Sequence, residues 1–295
     1  MNTLVAVDWG TSSLRAVLLS DSGEVLQERS AQRGIMTVPT GGFRAVFDEL
    51  CGDWMQQAQR ALICGMAGSR QGWQEAPYCA CPAGQDALAG SLAWIEPQRI
   101  AIVPGLRCEH DSVPDVMRGE ETQVVGALRL LGIGTDRATL VLPGTHSKWA
   151  RAEGGRIASF STFMTGEFYA LLRHHSLLAR TMPEEDGALN EEAFRRGVAH
   201  ARACGNLLHA AFSARTLALF DRMQADALPS YLSGLVIGEE LRSQVHEGDA
   251  PLVLVGAPAL TQRYALALGA WGVQARSVGP EATWAGLRAI ADTLE

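Results

Sequence analysis

Two stretches of this chain repeat one pattern, and together they limit the folds open to it. The first, Val5 to Leu19, reads VAVDWGTSSLRAVLL: two apolar runs pinched together by Asp8, Trp9, Gly10, Thr11, Ser12 and Ser13. The second, Leu140 to Trp149, reads LVLPGTHSKW, an apolar run followed by Gly144, Thr145, His146 and Ser147 and a resumed segment. Each leads to a glycine-bearing turn, Asp21-Ser22-Gly23 in one and Glu153-Gly154-Gly155 in the other, and then to a third strand-like run, Glu24 to Arg29 and Arg156 to Thr162. Such a repeat predicts two domains of one architecture, each presenting a hydroxyl-rich loop toward a shared cleft.

A strand that ends in Asp and turns through Gly and hydroxyl residues can hold a phosphate against backbone N–H groups while Asp8 faces a metal ion. An ordinary hairpin whose tight turn needs glycine and polar residues is written with the same letters. Composition narrows the partners. The 295 residues allow one large or two medium domains, and 47% hydrophobic with 19% charged residues describe a soluble globular chain. A net charge of -7 argues against nucleic acid, because a phosphate backbone demands a basic face. An anionic small substrate remains compatible, since a local arginine cluster suffices for it. Met1-Asn2-Thr3 leads at once into a strand, and no run approaches the roughly 18 apolar residues of a membrane span, so a cytoplasmic protein without a membrane partner is expected. Self-association stays open. Cys51, Cys64, Cys79, Cys81, Cys108 and Cys204 lack paired metal spacing and read as reduced structural thiols.

Along the chain, Phe43, Val46, Phe47, Leu50 and Trp54 space as one face of an amphipathic helix. Ala61 to Cys64 reads as a buried strand delivering the glycine-rich loop Gly65 to Trp73, with Ser69, Arg70 and Gln71 in a row; a flexible connection is the plain alternative to a ligand loop. Arg70 has the fork that suits a carboxylate. Ile100 to Val103 is another strand, and Arg118 to Gln123 opens a helix with Glu120 and Glu121 in its first turn, where acidic residues are common without special role. Leu131 to Asp136 reads as the crossing between domains, with residues 128 to 136 as a hinge. Phe163 to Glu167 opens a helix through Ala179; Thr165 and Glu167 reach the cleft in one reading, and Thr165 is a plain cap in the other. Asn190 to Leu219 predicts one or two long helices, Leu228 to Val245 another with Gly234 and Gly238 allowing close packing, and Pro251 to Val255 a strand followed by a turn at Gly256-Ala257 and a helix. His174, His175, His200 and His209 form no metal-like cluster and read as packing or surface residues. The last helix runs from Pro280 to Leu294.

The loops DWGTSSLR and PGTHSKW resemble the two phosphate loops of the actin-like ATPase superfamily, which includes sugar kinases, actin and the heat-shock 70 chaperones. More narrowly, DWGTSSLRA, GMAGSRQGW, VPDVMRGEETQ, LPGTHSKW and FMTGE resemble the 2-keto-3-deoxygalactonate kinases. The resemblance implies an α/β fold of two ribonuclease H-like (actin-like ATPase) domains with a cleft between them, residues 1–131 and 132–295, the last helix packing back on the first. It implies ATP-dependent phosphorylation of 2-dehydro-3-deoxy-D-galactonate on its 6-hydroxyl. Asp8 would orient Mg²⁺ through water. Gly10, Thr11 and Ser12 on one side and Gly144, Thr145 and Ser147 on the other would grip ATP, with Lys148 or Arg15 adding positive charge and Gly256-Ala257 meeting the adenosine. Ser69, Arg70 and Gln71 would position the sugar acid, helped by Thr165 and Glu167. Glu121 would take the proton of the attacking hydroxyl, Glu120 being the alternative. A kinase of another sugar or sugar acid, and a non-catalytic nucleotide-binding switch, are the competing readings.

Overall fold

A computed structural model describes residues 3–133, 137–244 and 250–294. By internal packing the chain groups into two compact units: Met1–Leu140 with Ala150–Ser161 and Val278–Glu295, and Val141–Trp149 with Thr162–Ser277.

The first sheet has six strands: β1 (Leu4–Trp9), β2 (Leu14–Leu19), β3 (Val25–Ala31), β4 (Arg60–Gly65), β6 (Ala93–Glu96) and β7 (Ile100–Ile102), in the order β3-β2-β1-β4-β7-β6. β1 and β2 form an antiparallel hairpin that sets Asp8 opposite Arg15, and β4 lies parallel on the other side of β1 with Trp9 opposite Gly65. β1 is apolar on both faces because both are covered, so its sequence shows no alternation. Helix α1 (Phe43–Cys51) lays Phe43, Val46 and Phe47 against the sheet. The amphipathic run stops at Gly52 rather than reaching Trp54, which is buried from a separate 3-10 turn. Trp9, its ring centroid 5.4 Å from Phe43 and 5.9 Å from Trp73, anchors this core, and its indole N–H donates to the Arg33 carbonyl at 2.9 Å.

A second, three-stranded sheet has no counterpart in the sequence reading: β5 (Tyr78–Ala80) pairs parallel with β8 (Gly105–His110), which forms a hairpin with β9 (Val113–Met117). Short helix α2 (Gln85–Ala89) follows β5. Helix α3 (Glu120–Leu131) begins after β9, so residues 128–131 of the expected hinge are its last turn, while 134–136 fall outside the described residues. The last helix, α10 (Glu281–Asp292), packs along α3 within the same unit.

The third sheet repeats the order of the first four strands of the first sheet. β10 (Ala138–Leu142), β11 (Ser147–Glu153), β12 (Arg156–Phe163), β13 (Leu252–Val255) and β14 (Ala275–Val278) run β12-β11-β10-β13-β14, third strand, second, first, then fourth and fifth. The helices of the second unit are α4 (Thr165–His175), α5 (Glu191–Cys204), α6 (Leu207–Ala210), α7 (Ser213–Leu219), α8 (Leu228–Gln244) and α9 (Pro258–Gly269). The stretch 190–219 yields three helices because Gly205 ends α5 in the left-handed conformation at φ +63° and Asn206 caps α6. Helix α8 is buried nearly all round and lies on α5; a Cβ at Gly234 would stand 2.1 Å from the Phe194 carbonyl oxygen. Val245, the expected end of α8, lies outside the described residues. Among the described residues no helix is long and apolar enough to cross a membrane.

Candidate active site

The first loop, between β1 and β2, closes through the Gly10 N–H on the Ser13 carbonyl at 2.9 Å and leaves Thr11 and Ser12 exposed. It is braced from Gly34, whose N–H donates to the Ser12 carbonyl at 3.0 Å. A Cβ at Gly34 would stand 2.2 Å from the Thr11 carbonyl oxygen, so only glycine lets the chain come this close. Sequence reasoning missed Gly34, whose partner lies two strands back. Asp8 Oδ2 accepts from the Arg15 guanidinium at 2.6 Å, and Arg15 lies 5.7 Å over the Trp284 ring. The expected source of positive charge, Arg15, is therefore matched by a carboxylate of its own hairpin.

Beside this loop lies the turn into α3. Gly65 and Gly119 have φ of +87° and +104°, and a Cβ on Gly119 would stand 3.2 Å from Gly65 Cα. These glycines let the β4 end and the α3 start touch. Glu121 is fully buried there: its Oε2 accepts from the Gly119 N–H at 2.7 Å and its Oε1 from the Thr122 hydroxyl at 3.0 Å. Burial, then the neighbouring Glu120 carboxylate, pushes its pKa up to about 8. Glu120 is half-buried and accepts from the Arg118 N–H at 3.1 Å. The two adjacent acids, indistinguishable as letters, have different environments. The buried Cys64 thiol feels both Asp8 and Glu121, and burial with these charges raises its pKa.

The glycine-rich loop after β4 starts as a 3-10 turn, Met66–Gly68. Ser69 Oγ is buried without a hydrogen-bond partner among the described residues. Arg70 projects outward, its side chain 87% exposed, and pairs with Glu75 at 3.0 Å, while Gln71 is exposed. Arg118, not singled out from sequence, lies 4.3 Å over the Tyr78 ring and donates to the Ala76 carbonyl at 2.8 Å, tying this loop to the start of α3.

In the second unit, the loop Gly144–Ser147 precedes β11. Thr145 is exposed, but Ser147 is fully buried and its hydroxyl donates to Glu240 Oε1 at 2.7 Å, which corrects the expectation that this hydroxyl grips phosphate. Glu240, in α8, also accepts from the Trp149 indole at 2.6 Å, from the Tyr264 hydroxyl at 2.7 Å and from the Thr165 hydroxyl. Thr165 is thus not the cap of α4, a place taken by Met164; it is buried, its hydroxyl is committed to Glu240, and it lines the small cavity beside Gly144. Burial raises the Glu240 pKa while the four donors oppose that rise. Of the adjacent glutamates Glu239 and Glu240 in a largely apolar helix, the letters alone do not tell which one is the buried hub. Lys148 is buried, its ammonium donating to the His146 carbonyl at 2.9 Å. Glu167 pairs with the His146 ring at 2.5 Å, and its N–H donates to the Thr145 carbonyl at 3.0 Å.

At the end of β13, Gly256 has φ +136° and Ala257 is exposed, its carbonyl accepting the Leu260 and Thr261 N–H groups that open α9. A small cavity of about 70 Å³ lies nearby, lined by Gly144, Gly166, Ser233, Ile237, Leu260 and Arg263. Among the described residues no group of three or more His, Cys, Asp or Glu could hold a metal ion. A single carboxylate, Asp8, with Oδ1 over the Gly65 backbone, suits a Mg²⁺ that arrives on nucleotide phosphates and keeps its waters.

Two sheets that share the order of their first four strands, each opening on a glycine-and-hydroxyl loop, define an α/β protein of the actin-like ATPase superfamily. The chain belongs to the 2-keto-3-deoxy-galactonokinase family, whose model matches residues 8–290. It is 34% identical to the 2-dehydro-3-deoxygalactonokinase of Escherichia coli (strain K12), over 98% of this chain and 98% of that protein. It is 39% identical to a probable 2-dehydro-3-deoxygalactonokinase of Rhizobium meliloti (strain 1021), over 98% of this chain and 96% of that one. A crystal structure from Sinorhizobium meliloti, of a protein assigned as a 2-dehydro-3-deoxygalactonokinase, superposes with a TM-score of 0.90 at 37% identity, covering 99% of both chains.

Proposed function

We propose that this chain transfers the terminal phosphoryl group of ATP to the 6-hydroxyl of 2-dehydro-3-deoxy-D-galactonate, a step of galactonate breakdown carried out in the cytoplasm. The observation that carries the reading is Glu121: a fully buried carboxylate at the start of α3 whose pKa of about 8 suits a base that must accept a hydroxyl proton near neutrality. Glu120 beside it stays half in water, which favours Glu121 for that role.

Phosphoryl transfer asks a protein for positioning and charge stabilisation rather than covalent chemistry. In this reading each half contributes one loop to a single ATP. Thr11 and Ser12 offer exposed hydroxyls, Gly10 and Gly144 let backbone approach the phosphates, and Thr145 offers a hydroxyl from the second loop. Asp8 would hold the waters of a nucleotide-borne Mg²⁺, which supplies charge neutralisation on the phosphates. The turn at Gly256-Ala257 would meet the adenosine. The Ser69-Arg70-Gln71 loop takes the sugar acid, Arg70 exchanging Glu75 for the substrate carboxylate.

The test is ADP release by the purified protein with ATP and a panel of sugars and sugar acids, including the gluco and galacto epimers of the keto-deoxy acid. Release with the galacto acid is expected. Preferential turnover of a neutral sugar would move the assignment to another sugar kinase, and nucleotide binding with no turnover of any acceptor would favour a switch protein.

A further inference from the structure

The second loop offers few outward side chains. Ser147 is turned inward to Glu240, and Lys148 is buried with its ammonium on a loop carbonyl. Thr145 and His146 are the loop residues that face out. His146 is also held: its side chain is 50% exposed, yet Nε2 sits 2.5 Å from Glu167 Oε2. The two residues are locked together through backbone as well, because the Glu167 N–H donates to the Thr145 carbonyl and a Cβ at Gly166 would stand 2.6 Å from the Gly144 carbonyl oxygen. The start of α4 therefore lies flat on the loop and cannot be moved without moving it.

A histidine with one ring nitrogen on a carboxylate presents the other in a fixed direction, and a ring that donates from both nitrogens is the doubly protonated one. On the exposed tip of a loop read as gripping phosphate, such a ring has an obvious acceptor. We infer that His146 donates a hydrogen bond from Nδ1 to the polyphosphate of the bound nucleotide, and that Glu167 is its positioning residue rather than a contact to the sugar acid. The inference rests on the proposed nucleotide site. It gives the family loop a charge-assisted contact from a residue that neither its glycine nor its hydroxyls supply. The ring pairs with Glu167 of α4, and the Lys148 ammonium of β11 sits on the carbonyl of the same histidine, while Glu240 of α8 accepts from Ser147 and from Tyr264 of α9.

The experiment is calorimetric binding of Mg²⁺ with a non-hydrolysable ATP analogue to the full chain and to the His146→Gln, His146→Ala and Glu167→Gln variants, each in two buffers of different ionisation enthalpy at pH 7.5. Loss of one charge-assisted contact should weaken His146→Ala binding by about tenfold. His146→Gln should also lose any proton uptake that accompanies wild-type binding, and Glu167→Gln, which leaves the ring less firmly held, should bind with an affinity between those of His146→Ala and the wild type. Wild-type affinity in both His146 variants, or weaker binding with proton uptake unchanged, would overturn the inference; the second result would mean that the pair only staples the loop to α4. Failure of the proposed function is separately visible, as a wild type that binds the analogue normally and phosphorylates no keto-deoxy acid.

Discussion

At the scale of single residues, two buried glutamates show how surroundings divide the tasks of one side chain. Glu121 has two donors and a carboxylate neighbour; Glu240 has four donors from β11, α4 and α9. The first is left with a proton to exchange near neutrality, and the second is a structural knot. Replacing Glu121 by Gln is expected to lower kcat by about 10²- to 10⁴-fold with ATP binding kept, the range for a lost general base. In the wild type kcat should rise with pH toward about 8, as the carboxyl ionises, and this limb should be absent in the variant. Stability moves the other way. Because the folded pKa, about 8, stands above the ordinary 4.5, the native state keeps a proton that the unfolded chain has released, so stability falls as pH rises between those values and levels above them. Urea melts at pH 5 and pH 8.5 should show that decline in the wild type and a flatter profile in Glu121→Gln. For Glu240→Ala, four orphaned donors and a cavity predict a loss of about 3 kcal/mol or more, and Glu240→Gln a smaller one, read from equilibrium urea unfolding.

At the scale of elements, the α3–α10 crossing decides where Glu121 stands. A Cβ on Gly126 would lie 1.8 Å from the Ala282 carbonyl oxygen, and one on Gly286 would lie 1.9 Å from the Thr122 carbonyl oxygen, next to Glu121 in the chain. Gly286→Ala must therefore push the first turn of α3 off α10. A destabilisation of about 2 kcal/mol, within the range for overpacking, is expected together with a fall in kcat larger than any change in KM for ATP. Thermal unfolding and steady-state kinetics on one preparation check both. Elements such as α1 were legible because Phe43, Val46 and Phe47 repeat at the helical period and face one core. The sheet β5-β8-β9 was not: β5 has three residues, β9 is largely exposed, and their pairing joins segments that carry no shared period. Gly126 and Gly286 were equally silent, since a glycine inside a helix announces a close approach only once the partner helix is known.

At the scale of the whole molecule, the chain closes on itself: Val278–Glu295 belongs to the unit begun by the first strand, with Arg129 of α3 paired to Asp292 of α10 at 2.6 Å. Deleting residues 280–295 would uncover the α3 face around Gly126 and remove the buried Trp284, Leu287 and Ile290. Such a truncation is expected to lose cooperative unfolding of the first unit, seen as early hydrogen exchange in β1 and β4 while α5 and α8 stay protected. The sequence alone determined the repeated strand–loop–strand plan, the glycine and hydroxyl loops at Gly10 and Gly144, and the carboxylate pair at the head of α3, because turn chemistry and periodicity are written in neighbouring residues. Only the tertiary structure decided that Ser147 and Thr165 face inward, that Arg15 is matched by Asp8 and that Glu121 rather than Glu120 is stripped of water. Burial and proton affinity are set by atoms brought from far along the chain, as with Ser147 and Glu240, 93 residues apart and 2.7 Å from contact to carboxylate.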